Sequence, residues 1–448
     1  MRKALVVAVL FEVLSVVQLA AALDRQPNAD YRARRQALSD KTSGGAVLLF
    51  APPEGEGLNA IYGYRPDETF FYLSGWTEPG AALLITPAVE AKGKDPARPY
   101  TETLFLPAHN YVQEKWTGPK LGPENPEAAA ITGFDHVAVL DNLREELVRL
   151  LPAKATVYTD VPGPKQTSNS EISLQWLQRA NAFPLALSFQ DVRPLLASLR
   201  NYKDAGEIER LKKAASASAA AHLAAMHAMK PGMPELEIAA LMQYEWGKRG
   251  CQRPAYAPIV GSGFHSTVLH YSENSETIQA GDLVVIDAAG EYSMYASDIT
   301  RTLPANGKFT PRQREIYDIV LGAQRAAIAA FQSGKSHLKG GVPDSLHDVA
   351  YAYINSHGKD LHGESLGKYF IHSLGHFVGL NVHDAGDYNL TLGPGSVFTL
   401  EPGIYIPEEK LGARIEDTFY VDAAGKLINM SESLPHTADD VERAMAGK

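Results

Sequence analysis

Four carboxylates and a group of histidines in the second half of the chain have the types and spacing of a divalent-metal site. Asp287 closes the apolar run Leu283-Val-Val-Ile286, and Asp298 follows within Tyr295-Ala-Ser-Asp-Ile-Thr-Arg-Thr302. A hairpin turning at Tyr292–Ser293 would set the two acids directly opposite each other, and directly opposed residues share a face. Two carboxylates so placed repel unless a positive charge lies between them, which a divalent cation supplies. Gly290 could introduce a bulge and shift this register. The alternative has Asp287 capping a turn and Asp298 paired with Arg301.

Further along, His372, His376 and His383 punctuate a mostly apolar segment. His372 and His376 have the four-residue spacing of two ligands on one helix face. Position 373 is serine where that motif has glutamate, and Gly375 and Gly379 weaken a helix. At least one of the three serves outside the metal shell, and one or two could be ordinary packed histidines. Glu401 closes an apolar strand against Pro402-Gly403, and Glu416 stands beside Asp417. Four carboxylates and a histidine without a thiolate form a hard, oxygen-rich donor set. It suits two Mn²⁺ ions, with Co²⁺, Fe²⁺ or Zn²⁺ as alternatives.

The elements that must position these residues can be read from pattern. Asp30–Ser39 reads as a charged helix. Gly45–Phe50, Phe70–Trp76, Ala81–Ile85, Thr103–Pro107 and Ala155–Tyr158 read as strands, with helix Leu143–Leu151 among them. Val161–Ser170 reads as a loop and Arg193–Asp204 as the interdomain connection. Long helices follow at Ala205–Met229, Glu235–Lys248 and Gln313–Phe331. Strands are expected at Leu283–Ala288, Ala296–Thr302, Val397–Leu400 and Thr418–Val421. The first half is therefore α/β in character and the second α+β.

Composition narrows the function. The chain has 448 residues and a formal charge of −10, which disfavours nucleic acid as a partner. A single cysteine excludes an internal disulfide framework and any multi-cysteine zinc site. Arg2-Lys3, a largely apolar run and Ala20-Ala-Ala22 read as an export signal cleaved after Ala22, although Glu12 interrupts the run. A periplasmic or secreted protein, without stable membrane insertion after cleavage, is expected.

The ordered set Leu269-His270-Tyr271, Asp287, Asp298-Ile-Thr-Arg-Thr302, His376, His383-Asp384, Glu401-Pro-Gly403 and Arg414-Ile-Glu416-Asp417 resembles the proline-specific metallopeptidases of the pita-bread fold. Within them it resembles the aminopeptidase P, or Xaa-Pro aminopeptidase, family. Arg32–Leu38, Phe70–Gly80 and Trp116-Thr-Gly118 resemble that family's N-terminal domain. With residues 1–22 read as the signal peptide, the resemblance implies an α/β N-terminal domain over 23–195 and an α+β pita-bread catalytic domain over 200–448. It implies two divalent ions per chain, with Asp287 on one, His376 and Glu401 on the other, and Asp298 and Glu416 bridging. Glu401 would also be the general base toward a metal-bridging water or hydroxide. His270 and His383 would touch substrate, His372 would stand behind the ligands, and Arg414 and Tyr405 would order the site. The implied substrates are peptides beginning Xaa-Pro, and the implied assembly is a homodimer or homotetramer. The family usually has glycine where this chain has Ala289, so a small backbone adjustment is expected there. A prolidase-type Xaa-Pro dipeptidase and a metal-free binding relative are the competing readings. Resemblance to methionine aminopeptidase is limited to the catalytic half.

Overall fold

The computed structural model describes residues 23–53, 62–91, 97–152, 154–161 and 187–447. The expected signal segment, and the expected loop beyond Val161, lie outside these residues. Helix α1 (Asn28–Asp40) opens the N-terminal unit and buries Tyr31, Arg34, Arg35 and Leu38 on one stripe. Buried arginines are tolerated because they are paired. The Arg35 guanidinium donates to Glu102 at 2.7 Å and to the Leu73 carbonyl at 2.7 Å.

The apolar run Phe70–Trp76, expected as a strand, is instead helix α2 (Glu68–Ser74). Phe70, Phe71, Tyr72 and Leu73 are all buried, so no period distinguishes helix from strand, and the end residues decide. The Asp67 carboxylate accepts from Phe70 N, and Gly75 closes the helix at φ 61°. A Cβ at Gly75 would also lie 2.5 Å from the Tyr31 ring.

Strands β1 (Ala46–Phe50), β2 (Ala82–Thr86), β3 (Thr101–Leu106), β4 (His136–Val139), β5 (Thr156–Thr159) and β6 (Ser188–Asp191) form one sheet, ordered β4-β3-β2-β1-β5-β6. Pairs β1–β2 and β2–β3 are antiparallel; the others are parallel. One face packs on helix α3 (Leu143–Leu150) through Leu143 and Leu147. The other packs on α1 and α2. The expected connection Arg193–Asp204 begins with helix α4 (Arg193–Arg200), which buries Leu196 against the N-terminal core. Pro194 fits that first turn. Only Asn201–Asp204 remains as linker.

Helix α5 (Ala205–Ala228) starts from a capping box between Asp204 and Glu207, and α6 (Glu235–Gly247) packs against it. Strands β7 (Ile259–Ser262), β8 (Leu283–Asp287) and β9 (Thr300–Pro304) form the sheet that carries the first two acids. The β8–β9 register pairs Asp287 with Thr300, not with Asp298. The hairpin reverses at Ser293 and Met294, with φ of 50° and 75°, and Tyr292 pairs with Tyr295. The centre thus lies one residue beyond the expected one, which displaces the register by two. The strand expected from Ala296 begins only at Thr300. Ala296 N donates to the Gly379 carbonyl, and Asp298 N to Thr418 Oγ1, so both leave the ladder. Ala289 has no positive φ, and its carbonyl accepts from Ala255 N.

The hairpin tip is inserted into the other unit. Met294, Tyr295 and Ala296 share the core of Leu38, Phe70 and Phe71. Helices α7 (Pro311–Ala330) and α8 (Leu346–Ser356) pack together and, with α5 and α6, enclose the catalytic-half core. Strands β10 (Val397–Leu400), β11 (Gly403–Ile406), β12 (Leu411–Arg414), β13 (Asp417–Val421) and β14 (Leu427–Asn429) form two small sheets, β10-β13-β14 and β11-β12.

Candidate metal centre

Three chain segments bring the acids together. Thr300 pairs with Asp287 on one side and bridges to Glu416 on the other, setting the first hairpin beside the last. The segment around His376 is irregular and not helical, so the four-residue spacing to His372 has no helical meaning here. It runs antiparallel along β10: Thr399 N donates to the His376 carbonyl at 2.9 Å, and Glu401 N to the Leu374 carbonyl at 2.8 Å. That pairing places His376 beside Glu401. It also explains Gly375, where a Cβ would lie 2.0 Å from the Thr399 carbonyl oxygen.

Ligand atoms of Asp298, His376 and Glu416 lie within 4.8 Å of one another. His376 Nε2 is 3.3 Å from Asp298 Oδ2 and 3.5 Å from Glu401 Oε1. Asp287 joins through Tyr256, whose hydroxyl is 2.6 Å from both Asp287 Oδ1 and Asp298 Oδ1. All five residues expected as ligands therefore face one cavity. They line a cavity of about 570 Å³ together with His270, His372, His383, Tyr388 and Arg414. The alternative pairing of Asp298 with Arg301 is not formed. Arg301 faces away, 2.7 Å from Asp417, and its guanidinium also holds the Glu416 carbonyl.

The acids are electrostatically unsatisfied. Burial and then the charge of Asp287 raise the Asp298 carboxyl, and burial with Asp298, Glu401 and Asp287 raises Glu416 well above the usual range. Burial pushes Glu401 up to about 7 against the pull of His376. Burial disfavours charge on His376, yet its hydrogen bond to Asp298 and the charge of Glu401 raise it to about 9. Arg414 offsets one acid, donating to Asp287 Oδ2 at 2.7 Å and to Tyr405 Oη at 2.8 Å. Converging carboxylates that retain protons under their own repulsion fit divalent cations. Asp287, Asp298, His376, Glu401 and Glu416 would hold them.

The remaining expected residues ring this cluster. His372 Nε2 lies 2.8 Å from Tyr405 Oη, and burial followed by Arg414 lowers the imidazole to about 4, so it is neutral at neutral pH. The His383 ring stands edge-on to His376, with centroids 4.3 Å apart. His270 is exposed at the cavity wall. Sequence reasoning missed Tyr256 and His347, whose Nδ1 accepts from Leu374 N at 3.1 Å. Tyr256 acquires meaning only once β7 pairs with β8 and lays it over the acids.

A buried acid cluster on two hairpins, fronted by a separate α/β unit, defines a metal-dependent hydrolase. Residues 209–423 match the model of metallopeptidase family M24, and residues 31–158 that of the aminopeptidase P N-terminal domain. The Xaa-Pro aminopeptidase of Escherichia coli is 33% identical over 439 residues, covering 93% of this chain and 97% of that protein. The structure of proline aminopeptidase P II from Yersinia pestis superposes with a TM-score of 0.80 at 34% identity, over 94% of this chain and 100% of that one. Aminopeptidase P from E. coli with the inhibitor Pro-Leu gives 0.82 at 30% identity, over 95% and 99%. The chain belongs to metallopeptidase family M24, with the aminopeptidase P type of N-terminal domain, and is a metal-dependent aminopeptidase.

The raised pKa values of Glu401 and His376 act in one direction in the metal-stripped chain. With Glu401 raised from 4.5 to about 7, stability present below pH 4.5 is lost as pH rises toward 7. With His376 raised from 6.5 to about 9, its contribution is full below 6.5 and lost as pH rises through about 9. The Tm gain on adding Mn²⁺ to stripped protein should therefore be larger at about pH 8 than at about pH 5. Scanning calorimetry at both values checks this; a gain independent of pH would contradict it.

Proposed function

We propose that the enzyme releases the N-terminal residue from peptides with proline in the second position, using two divalent ions, Mn²⁺ in the first instance. The observation that carries this reading is the convergence of Asp298, His376 and Glu416, with Asp287 and Glu401 beside them, in a chain that also has the N-terminal domain. That domain favours an aminopeptidase over the prolidase-type dipeptidase. When bound, the ions supply an activated water at neutral pH and positive charge for the developing oxyanion. Asp298 and Glu416 would serve both ions, Asp287 one, and His376 with Glu401 the other. Glu401, beside His376 at the centre of the cluster, would take the proton of the attacking water. His383 and His270 contact the substrate carbonyl and the proline side of the scissile bond. Arg414, Tyr405 and His372 form a hydrogen-bonded row that fixes Asp287 and the cavity wall. The Xaa-Pro bond has no N–H, so the site gains no hydrogen bond from that nitrogen.

The reading extends to location and assembly. Residues 1–22 are an export signal, so the protein purified from its source should begin near Leu23; recovery with Met1 intact from cytoplasm would refute export. The chain works as a homodimer or homotetramer. On activity, the Mn²⁺-loaded enzyme should cut Xaa-Pro-Yaa tripeptides with higher kcat/KM than Xaa-Pro dipeptides. Glu401→Gln should lower kcat by roughly 10²–10⁴-fold, as expected for loss of a general base. Dipeptides cut faster than tripeptides would favour prolidase, and a fully active Glu401→Gln would remove Glu401 as base.

A further inference from the structure

His383 sits on a segment without regular secondary structure, yet its neighbours are held from outside the catalytic half. Asn381 is the connection. Its Oδ1 accepts from the His383 backbone N–H at 3.0 Å, and its Nδ2 donates to Glu68 Oε1 at 2.6 Å. Glu68 belongs to the first turn of α2, in the N-terminal unit. It is itself fixed by two guanidinium groups, Arg65 at 3.2 Å and Arg200 at 3.4 Å. On the far side of His383, the buried Asp384 pairs with Arg200 and, at 3.0 Å, with Lys203. Gly379 permits this closure, since a Cβ there would lie 2.2 Å from Asp384 Oδ2. Arg65 also donates to the Leu380 carbonyl at 2.6 Å and to Glu291 at 2.8 Å, so it joins the His383 segment to the hairpin carrying Asp287 and Asp298.

We propose that Glu68 is a positioning residue for catalysis: acting through the Asn381 amide, it lets the N-terminal domain set the place of His383 against the substrate. This rests on the reading that His383 contacts substrate. Loss of Glu68 leaves the charged residues of this network paired. Arg65 keeps Glu291 and the Leu380 carbonyl, and Arg200 keeps Asp384. Asn381 alone loses its outer anchor. The backbone of His383 would then rest on an amide free to turn, and small misplacements of a catalytic group are costly in rate.

The test is a double-mutant cycle on full-length, Mn²⁺-loaded enzyme with an Xaa-Pro-Yaa substrate. Glu68→Ala should lower kcat/KM by roughly tenfold, mainly in kcat, with metal content unchanged. In a His383→Ala background, Glu68→Ala should cost nothing further, because two residues acting through one contact are not additive. Glu68→Gln combined with Asn381→Asp exchanges donor and acceptor across the same pair and should recover most of the rate. Tm measured on each variant identifies a purely structural role, which would lower Tm equally in both backgrounds without the kcat loss. Full activity of Glu68→Ala would overturn the proposal, as would an equal loss with and without His383, or no recovery in the exchanged pair. Full activity of His383→Ala would refute the substrate role of His383, and the proposal with it.

Discussion

The repulsion among Asp287, Asp298, Glu401 and Glu416 is the constraint on which the rest of the structure depends. Carboxylates this close, three of them buried and the fourth at the cavity wall, cannot all be ionised without compensating charge. The protein supplies part of it. Arg414 holds Asp287, and the Tyr256 hydroxyl spans Asp287 and Asp298. Arg301, also buried nearby, is committed to Asp417 and to backbone carbonyls behind Glu416, so it fixes the position of that acid without neutralising it. The remaining deficit is what a metallopeptidase of this family needs, because it favours cation binding over an internally satisfied, inert core.

Holding such a cluster requires rigid support. The backbone ladders give it: β8 to β9, Thr300 to Glu416, and the His376 segment along β10. His222 on α5 adds to it, with its buried imidazole 2.9 Å from the Ala288 carbonyl next to Asp287. The N-terminal unit also contributes support. It receives Met294 and Tyr295 at the tip of the acid-bearing hairpin into its own core, and Arg65 ties that hairpin to the segment of His383. The two units are therefore mechanically continuous at the site.

What could be read from sequence follows from the range of the interactions involved. The acids of the first hairpin were legible because a short turn joins their segments and returns Asp298 to Asp287, although Asp287 faces Thr300 and Asp298 lies just outside the ladder. The run Phe70–Leu73 was misread because it is buried on all sides and carries no period; the deciding features were a single cap at Asp67 and a single glycine at position 75. The spacing of His372 and His376 suggested a helix that close packing of Gly375 against Thr399 forbids. Tyr256, Glu68 and Asn381 were not legible at all. Their contacts join residues far apart in the chain, and nothing local marks a tyrosine that bridges two acids or an asparagine held at both ends.

The most direct measurement is the stoichiometry of bound metal, by equilibrium dialysis against Mn²⁺ followed by elemental analysis, for the wild-type chain and Asp298→Ala side by side. The account predicts about two ions per wild-type chain, as in two-metal hydrolases. It predicts fewer in Asp298→Ala, because that carboxylate belongs to the group whose ligand atoms converge within 4.8 Å. No bound metal in the wild-type protein, or the same stoichiometry and affinity in the variant, would contradict the claim that these acids are assembled to hold cations.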